Sequence, residues 1–264
     1  MDDARKAGQW FFAAGLVGLG VLTFVYGDFT QVWQPVPAWV PGREYLAYAS
    51  GAVMLASAVG TLSRRTAALS SRVLLAYLFL WLVLLKVPKI VAAPTVEVRW
   101  SGFGEIAVIA AGGLVLFATL HGQWDAATLG PVAGDRGLRI ARYVFGFALL
   151  PLGLSHFVYF TESIGFVPAW LPYRAGWVSL TGAGHIAAGL GVLFGILPRL
   201  AATLEASMIG IFTLLVWGPG ILATPTSRNQ WTAFLISWTI GAAAWVVAGS
   251  LEGTDGTAPQ RAEA

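Results

Sequence analysis

The chain has 264 residues, of which 57% are hydrophobic and only 11% are charged, and its mean hydropathy is +0.71. Soluble domains carry about a quarter charged residues, so this composition excludes a soluble enzyme, and a net charge of +3 gives no sign of a nucleic-acid partner. The absence of cysteine excludes disulfides, thiolate catalysis, iron–sulfur clusters and thiolate metal sites.

Hydropathy divides the chain into apolar stretches, several of which reach the length of about 18 residues that crosses a bilayer as a helix. We predict eight transmembrane helices, at residues 10–27, 45–63, 70–92, 102–120, 142–160, 177–197, 203–223 and 231–250. The fold class that follows is an all-α integral membrane protein.

The first predicted span follows a short polar head with Arg5 and Lys6, which is typical of a retained signal anchor. Of the 16 lysines and arginines, ten fall on one side of the predicted topology and six on the other. The side with more positive charge is the cytoplasmic one. We therefore expect a multi-pass protein of the cell membrane with both termini in the cytoplasm.

The chain repeats itself at an offset of 131 residues. The segment Pro-Ala-Trp-Val-Pro at 37–41 returns as Pro-Ala-Trp-Leu-Pro at 168–172, and nine of the 24 positions from 37 to 60 are identical at this offset. Four spans return the chain to the side on which it started, so two such units have the same orientation. We predict two parallel four-helix bundles.

The repeat sets the expected domain boundaries. The first four-helix unit covers residues 1–120, and a cytoplasmic linker covers 121–141. The second four-helix unit covers 142–250, and a disordered cytoplasmic tail covers 251–264.

The repeated motif forms an outer loop, because its prolines cannot continue a helix. Its tryptophan can lie at headgroup depth, and its arginine can contact phosphates or the C-terminal carbonyls of a neighbouring helix. A structural role is the simplest interpretation. The motif residues are Pro37, Trp39, Pro41 and Arg43, and then Pro168, Trp170, Pro172 and Arg174.

These features together resemble the DoxX/DoxD-like membrane family. The likeness rests on the Pro-x-Trp-x-Pro loop, the Gly/Ala-rich second helix and its Gly-Val-Leu-Phe-Gly-Ile-Leu-Pro-Arg exit at 191–199, and is strongest from Phe157 to Pro219. Typical members have one four-helix unit, so this chain would be a fused, two-unit form. Members often carry an acidic residue in the second helix, near the place held here by Met54 and His185.

The resemblance implies a bacterial inner-membrane protein. Some relatives are linked to quinone-coupled oxidation of reduced sulfur and others to membrane complexes of redox stress, while distant eukaryotic relatives act in protein assembly or cargo export. The family therefore narrows the fold more than the function.

Ionisable side chains inside the predicted spans are functional candidates, because each costs about 2.5–3.5 kcal/mol to insert. Glu205, near the inner end of span seven, is expected to pair with Arg199 or to lie at a helix N-terminus. Lys86 and Glu105 lie at similar depth on consecutive helices and can form an ion pair. The candidate outer-half polar pocket consists of Lys86, Glu105, His156 and His185.

The two histidines could hydrogen-bond a quinone head group and exchange its protons, because imidazole titrates near neutrality. Ligation of b-type haem is a disfavoured alternative. The structural alternative places His156 at the membrane interface and bonds His185 to a helix carbonyl. We predict no metal site, and no residue is identified as catalytic.

Three functions remain open from the sequence. The first is a quinone- or lipid-interacting subunit of a membrane redox system, with electrons carried by a bound cofactor or by a membrane or periplasmic redox partner. The second is a non-catalytic scaffold or assembly factor whose outer loops contact a partner. The third is a small-solute transporter working between the repeats.

Overall fold

The computed structural model of the chain describes residues 3–252, with the exception of the side chain of Ala4. All regular elements in this range are helical. The predicted tail at 251–264 lies outside the described residues, apart from the turn at 251–252. The α-helices are α1 (Asp3–Tyr26), α2 (Arg43–Thr61), α3 (Ala67–Trp81), α4 (Val87–Ala92), α5 (Glu97–Leu120), α6 (Gln123–Thr128), α7 (Gly134–Val158), α8 (Phe160–Phe166), α9 (Arg174–Phe194), α10 (Pro198–Phe212), α11 (Gly218–Ala223) and α12 (Arg228–Gly249).

Seven helical segments of the described chain are long and apolar enough to cross a membrane. Five are single helices, namely α1, α5, α7, α9 and α12. The other two are composite: α3 and α4 run on as Ala67–Ala92, and α10 and α11 as Pro198–Ala223. The remaining predicted span corresponds to α2, whose 19 residues include Arg43, Glu44 and several serines and glycines that dilute its hydropathy.

Each composite helix contains one π-helical turn, at Leu82–Lys86 and at Thr213–Trp217. A proline follows each turn closely, Pro88 in α4 and Pro219 in α11. Because proline has no N–H to donate and its ring clashes with the carbonyl four residues earlier, the helix widens at this point. The two turns lie 131 residues apart, which is the offset of the sequence repeat.

Eight long helices within residues 3–252 form a closed ring. In order around the ring, each of α1, α2, α3, α5, α7, α9, α10 and α12 packs against the next, and α12 packs against α1. Helices α5 and α12 also contact each other across the ring and are the most buried of the seven candidate spans. Helices from the first and last thirds of the chain therefore pack directly against each other.

Very close helix approach builds the second half of the ring. A Cβ on Gly153 of α7 would lie 2.6 Å from the carbonyl oxygen of Gly182 of α9, and a Cβ on Gly189 would lie 2.6 Å from that of Gly146. Small residues allow backbones to pack this tightly in lipid. This contact brings His156 of α7 to the face of α9 that carries His185.

The predicted linker at 121–141 is largely helical in the structure. It contains α6 and the first eight residues of α7, which begins at Gly134. The predicted start at 142 was late because Asp135, Arg136 and Arg139 lower the hydropathy, whereas the helix itself continues beyond the apolar part.

Candidate functional site

A hairpin of α9 and α10 positions the candidate site. Gly195 and Leu197 turn the chain with positive φ angles of 69° and 45°, and Pro198 then opens α10. His185 lies nine residues before the end of α9 and Glu205 seven residues into α10, which places both about 10–14 Å from the turn. The two side chains therefore meet at the same depth between antiparallel helices.

His185 and Glu205 form a buried hydrogen-bonded pair. His185 Nδ1 lies 2.8 Å from Glu205 Oε1, and the two side chains are 6% and 0% exposed. The second carboxylate oxygen, Glu205 Oε2, is also buried and has no hydrogen-bond partner among the described residues. A carboxylate with a free oxygen in an apolar bundle can accept a proton or a further hydrogen bond.

His156 completes a three-residue cluster. Its ring centroid lies 5.1 Å from that of His185, and its Nδ1 donates to the carbonyl of Leu152 at 3.0 Å. Within residues 3–252, no hydrogen bond is made to the Nε2 atom of either histidine. We call His156, His185 and Glu205 the histidine–glutamate cluster.

A cleft beside Glu205 opens on the outside of the bundle. It has a volume of about 400 Å³ and lies between α9 and α10, with Glu205 in its wall. Its rim carries apolar side chains that are exposed on the outside of the bundle, among them Ile196, Leu200 and Leu204. An apolar ligand in this cleft would therefore lie beside Glu205, whose carboxylate is itself buried.

Two expectations for this region were wrong. Glu205 does not pair with Arg199, which lies 3.6 Å from Glu252 instead, and it is the eighth residue of α10, beyond the N-terminal turn. His185 bonds to Glu205 and not to a helix carbonyl. The sequence placed Glu205 near one membrane surface because the predicted span began several residues later than α10.

The other half of the predicted pocket is built differently. Lys86 ends the first π-turn, is buried, and donates from Nζ to the carbonyl of Val32 at 3.1 Å. No ion pair joins Lys86 to Glu105 in the described chain. No hydrogen bond or ion pair of these residues links either of them to the histidines.

In each copy of the outer-loop motif, the arginine contacts the segment that precedes its helix. Arg174 opens α9 and donates to the carbonyls of Val167 and Ile164, the latter in the last turn of α8. This confirms the expected contact with helix C-terminal carbonyls for the second copy. Arg43 opens α2 and pairs with Asp28.

The motif tryptophans and prolines remain in the loops. Trp39 and Trp170 are 80% and 67% exposed. Pro37, Pro41, Pro168 and Pro172 lie outside the helices, as their missing N–H groups require.

Asp28 also joins the two halves of the chain. Its second oxygen, Oδ2, lies 3.3 Å from Arg228 at the start of α12, and Arg228 donates to the carbonyl of Phe29 at 2.6 Å. This contact could not be predicted from the sequence, because Asp28 and Arg228 are 200 residues apart.

The first half holds a different polar network at the corresponding depth. Gln34 donates to Ser50 at 3.0 Å and to Tyr77 at 2.8 Å, and Ser50 and Tyr77 are 2.8 Å apart. The tyrosine hydroxyl lies 4.0 Å from the sulfur of Met54, the residue that corresponds to His185. Sequence reasoning missed this network because each member is a single neutral polar residue in an apolar segment.

The geometry does not fit b-type haem between the two histidines. A haem ligated by both must place its porphyrin between their rings. Here α7 and α9 are in contact at the same level, since a Cβ on Gly182 would lie 2.8 Å from the Cβ of His156. A quinone ring, which needs only hydrogen-bonding groups beside an apolar cleft, fits the residues present.

Comparison of the chain with protein-family models, curated proteins and solved structures finds no match. The function proposed below therefore rests on the geometry and chemistry of the histidine–glutamate cluster and the neighbouring cleft.

Proposed function

We propose that the protein binds a membrane quinone at the histidine–glutamate cluster and serves as a subunit of a membrane redox system. The observation that carries this proposal is the buried hydrogen bond of 2.8 Å between His185 Nδ1 and Glu205 Oε1, together with a cleft between α9 and α10 whose wall includes Glu205. Buried ionisable groups inside a membrane protein are costly, and their retention indicates a role.

The cluster has the groups that a quinone head group requires. The hydroxyl groups of the reduced quinol donate hydrogen bonds, which the Nε2 atoms of neutral His156 and His185 can accept, whereas a histidine protonated on both nitrogens can donate from Nε2 to a quinone carbonyl. The free oxygen of Glu205 can hold a proton next to His185. A bound quinone supplies the redox chemistry, and the chain supplies orientation, an apolar cleft and a place for protons.

The electrons must come from a partner that carries its own redox group. The chain contains no cysteine and so cannot bind an iron–sulfur cluster through thiolates. This reasoning supports the role of a subunit and not that of an independent oxidoreductase.

We further propose a membrane architecture of eight spans in two parallel DoxX-like units. The nine identities at offset 131 support it, and so does the recurrence of helix starts: α1 and α7, α2 and α9, α3 and α10, and α5 and α12 all begin 131 residues apart. In this topology α2 also crosses the membrane, which brings the number of spans to eight. The motif loops then face outward, and both termini are cytoplasmic at the inner membrane.

Photolabelling tests the quinone site directly. The purified chain is incubated with a photoreactive quinone analogue, digested and sequenced by mass spectrometry. We expect label between residues 184 and 208, competed by excess ubiquinone, and much less label in the double variant H185M/E205L. Label spread evenly over the lipid-facing helices would rule the site out.

One observation favours a second candidate function. Trp39 and Trp170 are strongly exposed at the same end of the bundle, as expected of a non-catalytic scaffold or assembly factor whose loops contact a partner. Replacing both with alanine would then abolish co-purification of that partner. Undiminished recovery of the partner would exclude this role for the loops.

A further inference from the structure

A second and larger cavity lies on a different face of α10 from the histidine–glutamate cluster. It is a groove of about 570 Å³ between α1, α10 and α12. Its walls are mostly apolar, with Phe11 and Trp245 on the outside and small residues such as Gly210 and Gly241 behind them. We call it the α10–α12 groove.

The groove is specific to the second half of the chain. Its small residues Ala206, Gly210 and Ala248 correspond, at offset 131, to the large residues Leu75, Phe79 and Phe117 of the first half. The same helix pair in the first half is α3 and α5, where Phe117 is fully buried in the core. The fold therefore does not require small residues at these positions, since the first half carries larger side chains there, of which Phe117 is buried and Phe79 is 59% exposed.

Basic residues collect at one end of this groove. Arg5 of α1 lies 2.9 Å from Glu252, and Arg199 of α10 lies 3.6 Å from it. Arg142 of α7 donates to the carbonyl of Ser250, just after α12, at 2.6 Å. Two arginines thus share one carboxylate and a third contacts the backbone beside it, which leaves an excess of positive charge among these four side chains. We call this the arginine end.

The guanidinium groups at the arginine end are accessible. The side chains of Arg5 and Arg199 are 38% and 46% exposed, and Arg199 and Glu252 line the groove itself. From Arg199 in α10 to Leu214 in the second π-turn, the groove follows sixteen residues, about 22 Å. It therefore has a charged opening at a membrane surface and an apolar channel that continues into the hydrocarbon.

We propose that the α10–α12 groove binds one anionic phospholipid, with an acyl chain along the groove and the phosphate against Arg5 and Arg199. Basic pockets between transmembrane helices bind anionic headgroups in this way. The charge at the opening argues against a quinone, whose head group is neutral. This proposal is independent of the quinone site, because the two cavities share no lining residue.

Native mass spectrometry tests the proposal. The purified full chain is equilibrated with vesicles of phosphatidylethanolamine and phosphatidylglycerol in equal amounts and extracted into mild detergent, and the retained lipids are counted. The variant A206L/G210F fills the groove with the side chains of the first half. The variant R5Q/R199Q removes the charges, and R64Q, an exposed arginine at the same end of the bundle, is the matched control.

We expect the wild type and R64Q to retain one phosphatidylglycerol per chain, and A206L/G210F to retain none. Each arginine replaced should lower retention about fivefold, which corresponds to about 1 kcal/mol per basic residue. Equal retention of both lipids by the wild type, or unchanged phosphatidylglycerol in R5Q/R199Q, would overturn the proposal. If A206L/G210F fails to fold, R5Q/R199Q still tests whether the groove binds an anionic phospholipid.

Discussion

His185 Nδ1 and Glu205 Oε1 lie 2.8 Å apart across α9 and α10, whereas the corresponding residues of the first half are Met54 and Leu74. One half of the chain thus holds an ionisable pair where the other half has only apolar side chains, both of them fully buried. The same backbone arrangement accommodates either pair. The first half therefore provides a natural template for testing what the polar pair contributes.

Exchange of the pair for its apolar counterpart should cost less than removal of one partner. H185M leaves a buried carboxylate unpaired, and the loss of one partner from a buried pair costs about 3–5 kcal/mol. E205L leaves an unpaired imidazole N–H, at about 1–3 kcal/mol. Because the double variant leaves neither group unpaired, we expect it to be more stable than H185M. The loss of stability in H185M, E205L and the double variant H185M/E205L is measured from the midpoints of thermal unfolding in detergent.

The control for this cycle is I186V, a conservative change next to His185 that leaves the pair intact. If the double variant were as unstable as the sum of the two single variants, the two side chains would not be coupled. The hydrogen bond between them would then contribute nothing to stability.

The ion pairs of Asp28 with Arg43 of α2 and Arg228 of α12 should stabilise the packing of the first half of the chain against the second. D28N removes the charge that both arginines share and weakens two charged hydrogen bonds, so we expect a loss of about 1–2 kcal/mol after allowance for partial exposure. Unfolding midpoints at low and high salt measure it. The control E162Q, at an exposed acidic residue of the same end of the bundle, should not change the unfolding midpoint measurably. Equal losses of stability in D28N and E162Q would show that the ion pairs of Asp28 do not stabilise the protein.

Close helix packing predicts which glycines tolerate alanine. A Cβ on Gly104 would lie 2.6 Å from the carbonyl oxygen of Ala148, and one on Gly189 would lie 2.6 Å from that of Gly146. Since a backbone oxygen cannot move aside, each substitution should cost about 1–3 kcal/mol. Gly218 has nothing within 4 Å of its ideal Cβ, so G218A is the control. Equal unfolding midpoints for G104A and G218A would show that the helices are not so closely packed.

The sequence predicted much of the helical framework. The offset of 131 that relates Trp39 to Trp170 also relates the start of α2 to that of α9 and the first π-turn to the second. The π-turns themselves could not be predicted, because they result from a local widening before Pro88 and Pro219 that does not change hydropathy. The start of α7 was missed because a helix can continue in polar sequence beyond the membrane.

The candidate site was predicted only in part. His156 and His185 were identified as buried ionisable residues, and their rings are in contact in the structure. The partnership of His185 with Glu205 depends on where the α9–α10 turn lies, and an error of a few residues in that turn moves Glu205 along the membrane normal by several ångströms. Hydropathy does not fix a turn that closely.

Cysteine accessibility tests the proposed parallel topology without background, because the chain has no native cysteine. Single cysteines at Trp39 and Trp170, both strongly exposed, should react with a membrane-impermeant maleimide applied from outside intact cells. Cysteines at Arg64 and Trp124, on the opposite end of the bundle, should react only after lysis. Reaction of Trp39→Cys but not Trp170→Cys from outside would show that the two units are inverted.

The quinone content of the purified protein tests directly whether the histidine–glutamate cluster binds a quinone. The protein is isolated in mild detergent, its organic extract is quantified by mass spectrometry, and the H185M/E205L variant is treated in parallel. We predict stoichiometric menaquinone or ubiquinone in the wild type and only background in the variant. Quinone in the wild type no higher than in an unrelated membrane protein, or equal amounts in both, would contradict the assignment of the histidine–glutamate cluster as a quinone site.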